Sequence, residues 1–342
     1  MFKLVLPLAV VLSISACSGS AIVKPADSSG GATAGDALVD LPGDTAGDGS
    51  ITHYEAADGA GSGYAKSISY DSATDTFSVD NLAFDGDNTY TRSAAMPNIG
   101  GNPPAAGPFQ VYEGPASTPD SVTGTPIPQF LHRAIYGKST SGNTQFAIVR
   151  TGSYRDYGFG GFVYQRNGSV TLPTTGQANY KGQYAGLVDY NGDTGINYSS
   201  GDMAMQIDFK DFNAGDGVAA TISNRQYYDM SGANVTGAYL TALNSDLNGA
   251  TYTELPSLVF NVGPGTNNAQ GEIAGTLGST VVDGTSGAVT THESGQYYGV
   301  LAGDSTTGND EVVGVIVVTS KKPGTGNTVT QRETGGFLLY RN

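Results

Sequence analysis

Between residues 203 and 210 the chain alternates without a break, Met203, Met205, Ile207 and Phe209 against Ala204, Gln206, Asp208 and Lys210. A period of two puts one set of side chains on each face of a strand, so this segment has one buried face and one wet face. Strand-like segments recur between clusters of Gly, Asn, Asp and Ser, and no window carries the apolar i, i+3, i+4, i+7 stripe of a helix. In the first half strands are expected at Tyr64–Tyr70, Thr76–Phe84, Phe109–Tyr112, Phe130–Tyr136, Gln145–Thr151 and Tyr157–Arg166. In the second half they are expected at Gln177–Val188, Met203–Phe209, Gly217–Asn224, Leu258–Val262, Glu272–Leu277, Gln296–Ala302, Val312–Thr319 and Glu333–Arg341. Val312–Thr319 is apolar almost throughout, so both of its faces need cover. Eight antiparallel strands suffice to close a small barrel whose interior side chains fill it. With Gly at 50 of 342 positions to supply turns, the pattern predicts an all-β chain.

An internal repeat divides the chain. Gly160-Gly161-Phe162-Val163-Tyr164-Gln165-Arg166-Asn167 recurs as Gly335-Gly336-Phe337-Leu338-Leu339-Tyr340-Arg341-Asn342. Each copy is expected to be the last strand of a β domain, with Gly-Gly relieving crowding at a bend and Phe facing a core. A boundary near Asn167 follows, with Leu172–Gly176 as the connection. The expected parts are 1–16, a signal peptide; 17–50, a linker; 51–170, a β-rich domain; and 171–342, an eight-stranded antiparallel barrel. The linker reading of residues 18–50 rests on Gly, Ala, Asp, Ser and Thr without helix or strand periodicity.

The N-terminus has one positive residue, Lys3, then an apolar run from Leu4 to about Ile14, then small residues up to Cys17, the only cysteine in the chain. That is the order of a secretory signal peptide. The run is shorter than the ~20 apolar residues that a spanning helix needs. A lone cysteine excludes a disulfide framework. Ile14-Ser15-Ala16-Cys17 resembles the lipobox of bacterial lipoproteins. The resemblance implies cleavage before Cys17, which becomes an N-palmitoyl, S-diacylglyceryl cysteine, and Ser18 after it implies sorting to the outer membrane.

The charge balance, 31 Asp+Glu against 16 Lys+Arg for a net −15, excludes the basic footprint of a nucleic-acid binder. His53, His132 and His292 lie far apart, without metal-ligand spacing, and no second cysteine exists for a Cys/His zinc site. No metal and no cofactor is expected. Asp189-Tyr190-Asn191-Gly192-Asp193-Thr194-Gly195 superficially resembles a calcium loop. It fails at position six, Thr194 instead of Gly, and at position twelve, Ser200 instead of Glu, so a hairpin turn explains it better. Asp211–Gly217 reads as the next hairpin loop. His292 with Glu293, or Asp202 with Asp208, would be needed as acid/base pairs for hydrolysis, and nothing in the sequence pairs them. Tyr227-Tyr228 and Tyr297-Tyr298 suit either half-buried strand positions or a recognition surface. The chain reads as no enzyme, and no ligand-binding residue is identifiable.

From residue 179 onward the chain resembles the β-barrel domain of surface lipoproteins of the transferrin-binding-protein-B type. The residues carrying this are Gly182–Gly186 within Asn179–Gly186, Phe260–Gly263 with Gly271–Thr276, and Gly295–Gly303, followed by Gly335-Gly336-Phe337. Tyr297 stands where the family often has Phe, and Asp304 follows Gly303. The resemblance implies that 51–170 is a handle-like β domain before the barrel. It further implies an outer-membrane lipoprotein, often moved to the cell surface, that binds a protein or solute ligand through barrel and handle loops. The function expected is nutrient uptake, iron or haem included. The expected partners are the membrane through the lipid anchor, an unidentified protein or small-molecule ligand, and an outer-membrane receptor or translocon, but no nucleic acid. The alternative is a structural or adhesive surface lipoprotein with no small-molecule ligand.

Overall fold

The computed structural model describes residues 43–342 apart from 46–48, 58–61, 81–88, 115–117, 120–121, 128–131, 153–155, 212–214 and 263–266. Cys17 and the stretch before it lie outside the described residues, as does most of the expected linker. Two large sheets follow one another along the chain. The first comprises β1 (Gly43–Thr45), β2 (Ile51–Tyr54), β3 (Ser67–Asp71), β4 (Thr76–Asp80), β5 (Tyr90–Arg92), β6 (Asn98–Ile99) and β7 (Phe109–Glu113). After a separate short pair, β8 (Thr118–Pro119) with β9 (Pro126–Ile127), it continues with β10 (Arg133–Lys138), β11 (Thr144–Arg150) and β12 (Gly160–Arg166). The strand order is β1-β2-β12-β11-β10-β7-β5-β4-β3, with β6 also on β7.

Residues 43–45, assigned to the linker from sequence, pair antiparallel with β2, Gly43 opposite His53 and Thr45 opposite Ile51. The folded body therefore begins before residue 51. Gly-Asp-Thr carries no apolar period, yet its backbone N–H and C=O groups complete a ladder as well as any others.

The second sheet contains β13 (Val170–Thr171), β14 (Gln177–Asn191), β15 (Ile196–Asp211), β16 (Gly215–Tyr228), β17 (Leu258–Phe260), β18 (Glu272–Val282), β19 (Val289–Asp304), β20 (Asn309–Lys321) and β21 (Thr330–Arg341). Its order β19-β18-β17-β16-β15-β14-β21-β20 returns to β19 through the β19–β20 ladder, which closes an eight-stranded antiparallel barrel. β13 adds a two-residue parallel pairing at the end of β19. Met203, Met205 and Ile207 are buried inside, while Ala204 and Gln206 are exposed. The barrel strands run past their expected ends, β14 to Asn191, β15 from Ile196 to Asp211 and β19 from Val289 to Asp304.

The first sheet lays one face on the outside of the barrel. Phe109, Val111, Ile135, Phe146, Ile148 and Phe162 meet Leu187, Tyr298, Val300, Val313, Val315 and Leu338 in one buried cluster. This explains the apolar run at the end of the chain. Asp310–Val318 is buried without interruption, with Val312, Ile316 and Val318 in the barrel interior and Val313, Val315 and Val317 in the seam. The other face of the first sheet has its own core, in which the Phe77 ring stacks on Tyr112 at 5.6 Å. In the connection between β2 and β3 the Tyr64 N–H donates to the Gly160 carbonyl of β12 at 3.2 Å.

Both copies of the repeat are the last strands of their sheets, β12 and β21, and Phe162 and Phe337 are fully buried. The glycines act by close approach. A Cβ on Gly335 would fall 2.0 Å from the Tyr184 hydroxyl, and one on Gly336 would fall 2.2 Å from the Phe146 ring, which reaches over from the first sheet. Gly336→Val is therefore expected to force the two sheets apart locally at a cost of about 1–3 kcal/mol. Urea unfolding would show this as a lower midpoint, and an unchanged midpoint would contradict the packing described.

The sequence pattern gave no sign of a helix, yet one is present. α1 (Thr236–Asp246) caps one end of the barrel, burying Leu240 and Leu243 against Val188, Tyr190, Tyr227, Leu255 and Val329. Its stripe is too short to register as a period because Thr, Gly, Asn, Ser and Asp fill most of its other positions.

Candidate functional site

Beneath α1 the barrel interior changes from apolar to charged, and a β-bulge causes the change. Val218, Ala220 and Ile222 of β16 face the interior. The register with β15 then slips between Ser200 and Asp202, and Asn224 adopts a left-handed φ of 52°. The extra residue reverses the phase of the strand, so Arg225 and Tyr227 point inward after it. Arg225, 3% exposed, donates through Nη1 to Glu293 Oε2 at 2.8 Å and to the Pro256 carbonyl at 2.8 Å. Its Nη2 donates to Glu293 Oε1 at 2.7 Å and to Glu333 Oε2 at 2.8 Å. The Ser279 hydroxyl donates to Glu293 at 2.5 Å, and the Tyr184 and Tyr227 hydroxyls donate to Glu333 at 2.6 and 2.9 Å. Burial pushes the Glu293 carboxyl up, but the Arg225 guanidinium outweighs it and holds the group below the usual carboxylate range. Burial and the neighbouring Glu333 push the hydroxyls of Tyr184 and Tyr227 well above the ordinary tyrosine value. All four carboxylate oxygens are engaged, so these acids are spent on holding the barrel end together.

A second charged array fastens the first sheet to the barrel. Arg150 donates to Glu55 at 3.0 Å and to Thr334 at 2.9 Å; Arg332 donates to Asp189 at 2.9 Å and to Ser62 at 2.8 Å. Glu55, Arg150 and Asp189 are fully buried. His53 Nε2 lies 2.5 Å from Glu272, whose other oxygen accepts from Asn268. Burial raises the Glu272 carboxyl, and the hydrogen bonds from His53 and Asn268 bring it below its ordinary value. Arg166, the arginine of the first repeat copy, donates to the carbonyls of Gly49, Gly168, Gln270 and Leu301. Arg341, its counterpart, donates to Tyr180 and Asp310.

The groups weighed from sequence are thereby placed. His132 is buried beside the Tyr90 ring, and His292 faces the Tyr239 hydroxyl at 3.3 Å, so the three histidines do not meet. His292 and Glu293 are adjacent in sequence but diverge in space, the latter being held by Arg225. Asp202 and Asp208 lie on the outer face of β15, where six residues of strand separate them by about 20 Å. Two carboxyls sharing one glycosidic bond stand roughly 5–9.5 Å apart, so this pair cannot act on one. In the 189–195 segment Asp189 points to Arg332 and Asp193 to Lys322, with Gly192 and Gly195 at positive φ in the turn between β14 and β15. Asp211 and Gly215 end the ladder of the next hairpin, whose residues 212–214 lie outside the described residues. Tyr227 and Tyr297 face the barrel interior, whereas Tyr228 and Tyr298 face the seam.

The barrel interior is thus filled, and concave surface lies outside it. A polar cleft of about 350 Å³ opens beside the β15–β16 bulge, lined by Gln183, Asp202, Asn224, Arg225, Gln226, Asn234 and Glu254, with Gly101 and Asn102 of the first sheet's loop. A larger groove of about 1070 Å³ runs between α1, the 322–327 turn and β19–β20, with Leu243, Leu247, Val281, His292 and Lys321 among its walls. Sequence reasoning missed the cleft because its lining is drawn from six separate stretches and depends on the bulge.

No family model matches the chain, and no curated protein matches it significantly. Among solved structures it is similar to a double mutant of transferrin binding protein B (TbpB) from Haemophilus parasuis, described as a vaccine antigen, at 10% identity and a TM-score of 0.34 over 85% of this chain and 51% of that one. It is also similar to a single mutant of that protein, at 10% identity and a TM-score of 0.33, covering 86% of this chain and 52% of that one. Intact Ap-TbpB, with its N and C lobes, gives 10% identity and a TM-score of 0.30 over 86% and 52%. The chain spans about half the length of these proteins, and at such identity the likeness is one of fold alone.

Proposed function

We propose that this chain is an outer-membrane lipoprotein, anchored through Cys17, that binds a protein or solute ligand on its outer surface and serves nutrient acquisition without catalysing a reaction. The observation that carries the binding reading is the filled barrel. Tyr180, Tyr184, Phe260, Tyr297 and Phe337 occupy its middle and the Arg225–Glu293–Glu333 network occupies one end. A ligand is therefore held outside, on the seam cleft, on the groove under α1, or on the loops. The anchor reading rests on the Ile14–Cys17 sequence.

The test is a binding screen of the full chain against ligand-loaded and ligand-free carrier proteins, transferrin included because of the sequence resemblance, together with haem and metal chelates. Binding of one of these by the wild type supports capture in nutrient uptake. Failure of all of them, with cell attachment reduced in a deletion strain, replaces it with an adhesive role.

A further inference from the structure

We infer that the cleft beside the β15–β16 bulge is a binding site for a neutral, hydroxyl-rich saccharide of one or two rings, a proposal that deepens the reading of the chain as a ligand-binding protein. The bulge that turns Arg225 into the barrel also places this residue among those lining the cleft. The hydrogen bonds of its guanidinium go to the barrel side, to Glu293, Glu333, Tyr227 and the Pro256 carbonyl, so the donors of the cleft wall are the side-chain amides of Gln183, Asn224, Gln226 and Asn234. On the wall, Asp202 is held in one orientation by the Gln183 and Asn224 amides, at 3.1 and 2.7 Å. The Gln226 carbonyl is fixed likewise, accepting from Tyr228 at 2.6 Å and from Asn234 at 3.0 Å. The polar groups are thus preorganised, which lowers the entropic cost of ordering them around a ligand.

The mixture of groups selects the ligand. An anion would face the carboxylates of Asp202 and Glu254, and a cation would offer the amide N–H groups of Asn224, Gln226 and Asn234 no acceptor. A hydroxyl both donates and accepts, so it answers the acceptors and the amide donors of the wall together. The volume, about 350 Å³, lies near the lower end of the range for small-molecule sites, roughly 300–1,000 Å³, which suits a mono- or disaccharide. No aromatic ring lines the cleft among the described residues, so binding depends on hydrogen bonds and is weak.

The experiment is saturation-transfer NMR with titration on the full folded chain, using maltose, cellobiose and N,N′-diacetylchitobiose as neutral probes, digalacturonate as the anionic probe and dilysine as the cationic one. The variants are Asp202→Ala and Glu254→Ala, both at exposed positions, with unchanged thermal midpoints as the folding control. The expected result is binding of at least one neutral probe, weakened about tenfold or more by Asp202→Ala through loss of one charge-assisted hydrogen bond. Binding of no neutral probe, equal affinity in the variants, or preference for the charged probes overturns the assignment. Saccharide failure alongside a ligand from the carrier screen removes the cleft proposal and leaves the binding reading standing. Failure of both removes the binding reading as well.

Discussion

Arg225→Met is expected to destabilise the protein by about 3–5 kcal/mol, the cost of leaving buried charges without their partner. Set against a total stability of roughly 5–15 kcal/mol for a typical domain, this removes between about a fifth and all of it. The reason lies in the arithmetic of the site. One guanidinium serves Glu293 and Glu333, and no second cation bonds either carboxylate among the described residues. The sign of the pH dependence separates this account from a simple packing loss. In the wild type the depressed Glu293 pKa adds stability above the ordinary carboxylate value, and that stability is lost as pH falls through the depressed value. Without Arg225, burial dominates and the carboxyl pKa rises, so the variant loses stability as pH rises from the ordinary value toward the raised one. Urea midpoints at pH 5 and pH 8 should accordingly show Arg225→Met recovering part of its loss on acidification. Adding Glu293→Gln and Glu333→Gln to Arg225→Met should also recover part of it, since the uncompensated charges are gone. A single variant within about 1 kcal/mol of wild type at pH 8 would show that the network is not the fastening described.

Cys17→Ser is expected to shift the protein from the membrane fraction to the soluble fraction, or to leave it as an uncleaved precursor, with loss of palmitate incorporation. Each buried CH₂ of an acyl chain contributes about 0.8 kcal/mol, and one chain gives only reversible binding while two or more anchor stably. Removing the thiol that would carry the diacylglyceryl group therefore abolishes stable anchoring. The thermal midpoint of the folded body should not change, because the described fold starts at Gly43. Membrane fractionation with palmitate labelling measures the effect, and a variant that remains acylated and membrane-bound would refute the anchor. Protease treatment of intact cells reports orientation in the same strains: loss of the β body places it outside, and survival places it in the periplasm.

The groups of the chain differ in how far the sequence exposed them. The alternation at Met203–Phe209 and the apolar run at Val312–Thr319 announced their own environments, because a strand's two faces are written into residues i and i+2. The second of these needed the first sheet to supply its outer cover, and Val313, Val315 and Val317 found it there. α1 was invisible because its burial is confined to Leu240 and Leu243 at a barrel mouth. Gly43–Thr45 was invisible because edge pairing uses backbone groups that every residue has. The partners of Arg225 lie 68 and 108 positions away along the chain, beyond the reach of any local period. The cleft was hidden by the same bulge, since an extra residue that inverts the phase of β16 has no signature in Ser223-Asn224-Arg225-Gln226.

What the sequence determined by itself is the all-β class, the places where most strands run, and the motif around Cys17 on which the anchor reading stands. These are local properties, set by side-chain period, turn residues and a short N-terminal pattern. Tertiary structure alone decided that the second sheet closes on itself through β19 and β20, that the barrel is filled, and that its polar cleft lies beside the bulge. Those outcomes depend on register and on contacts between distant strands, where one inserted residue exchanges the inner and outer faces of everything that follows it.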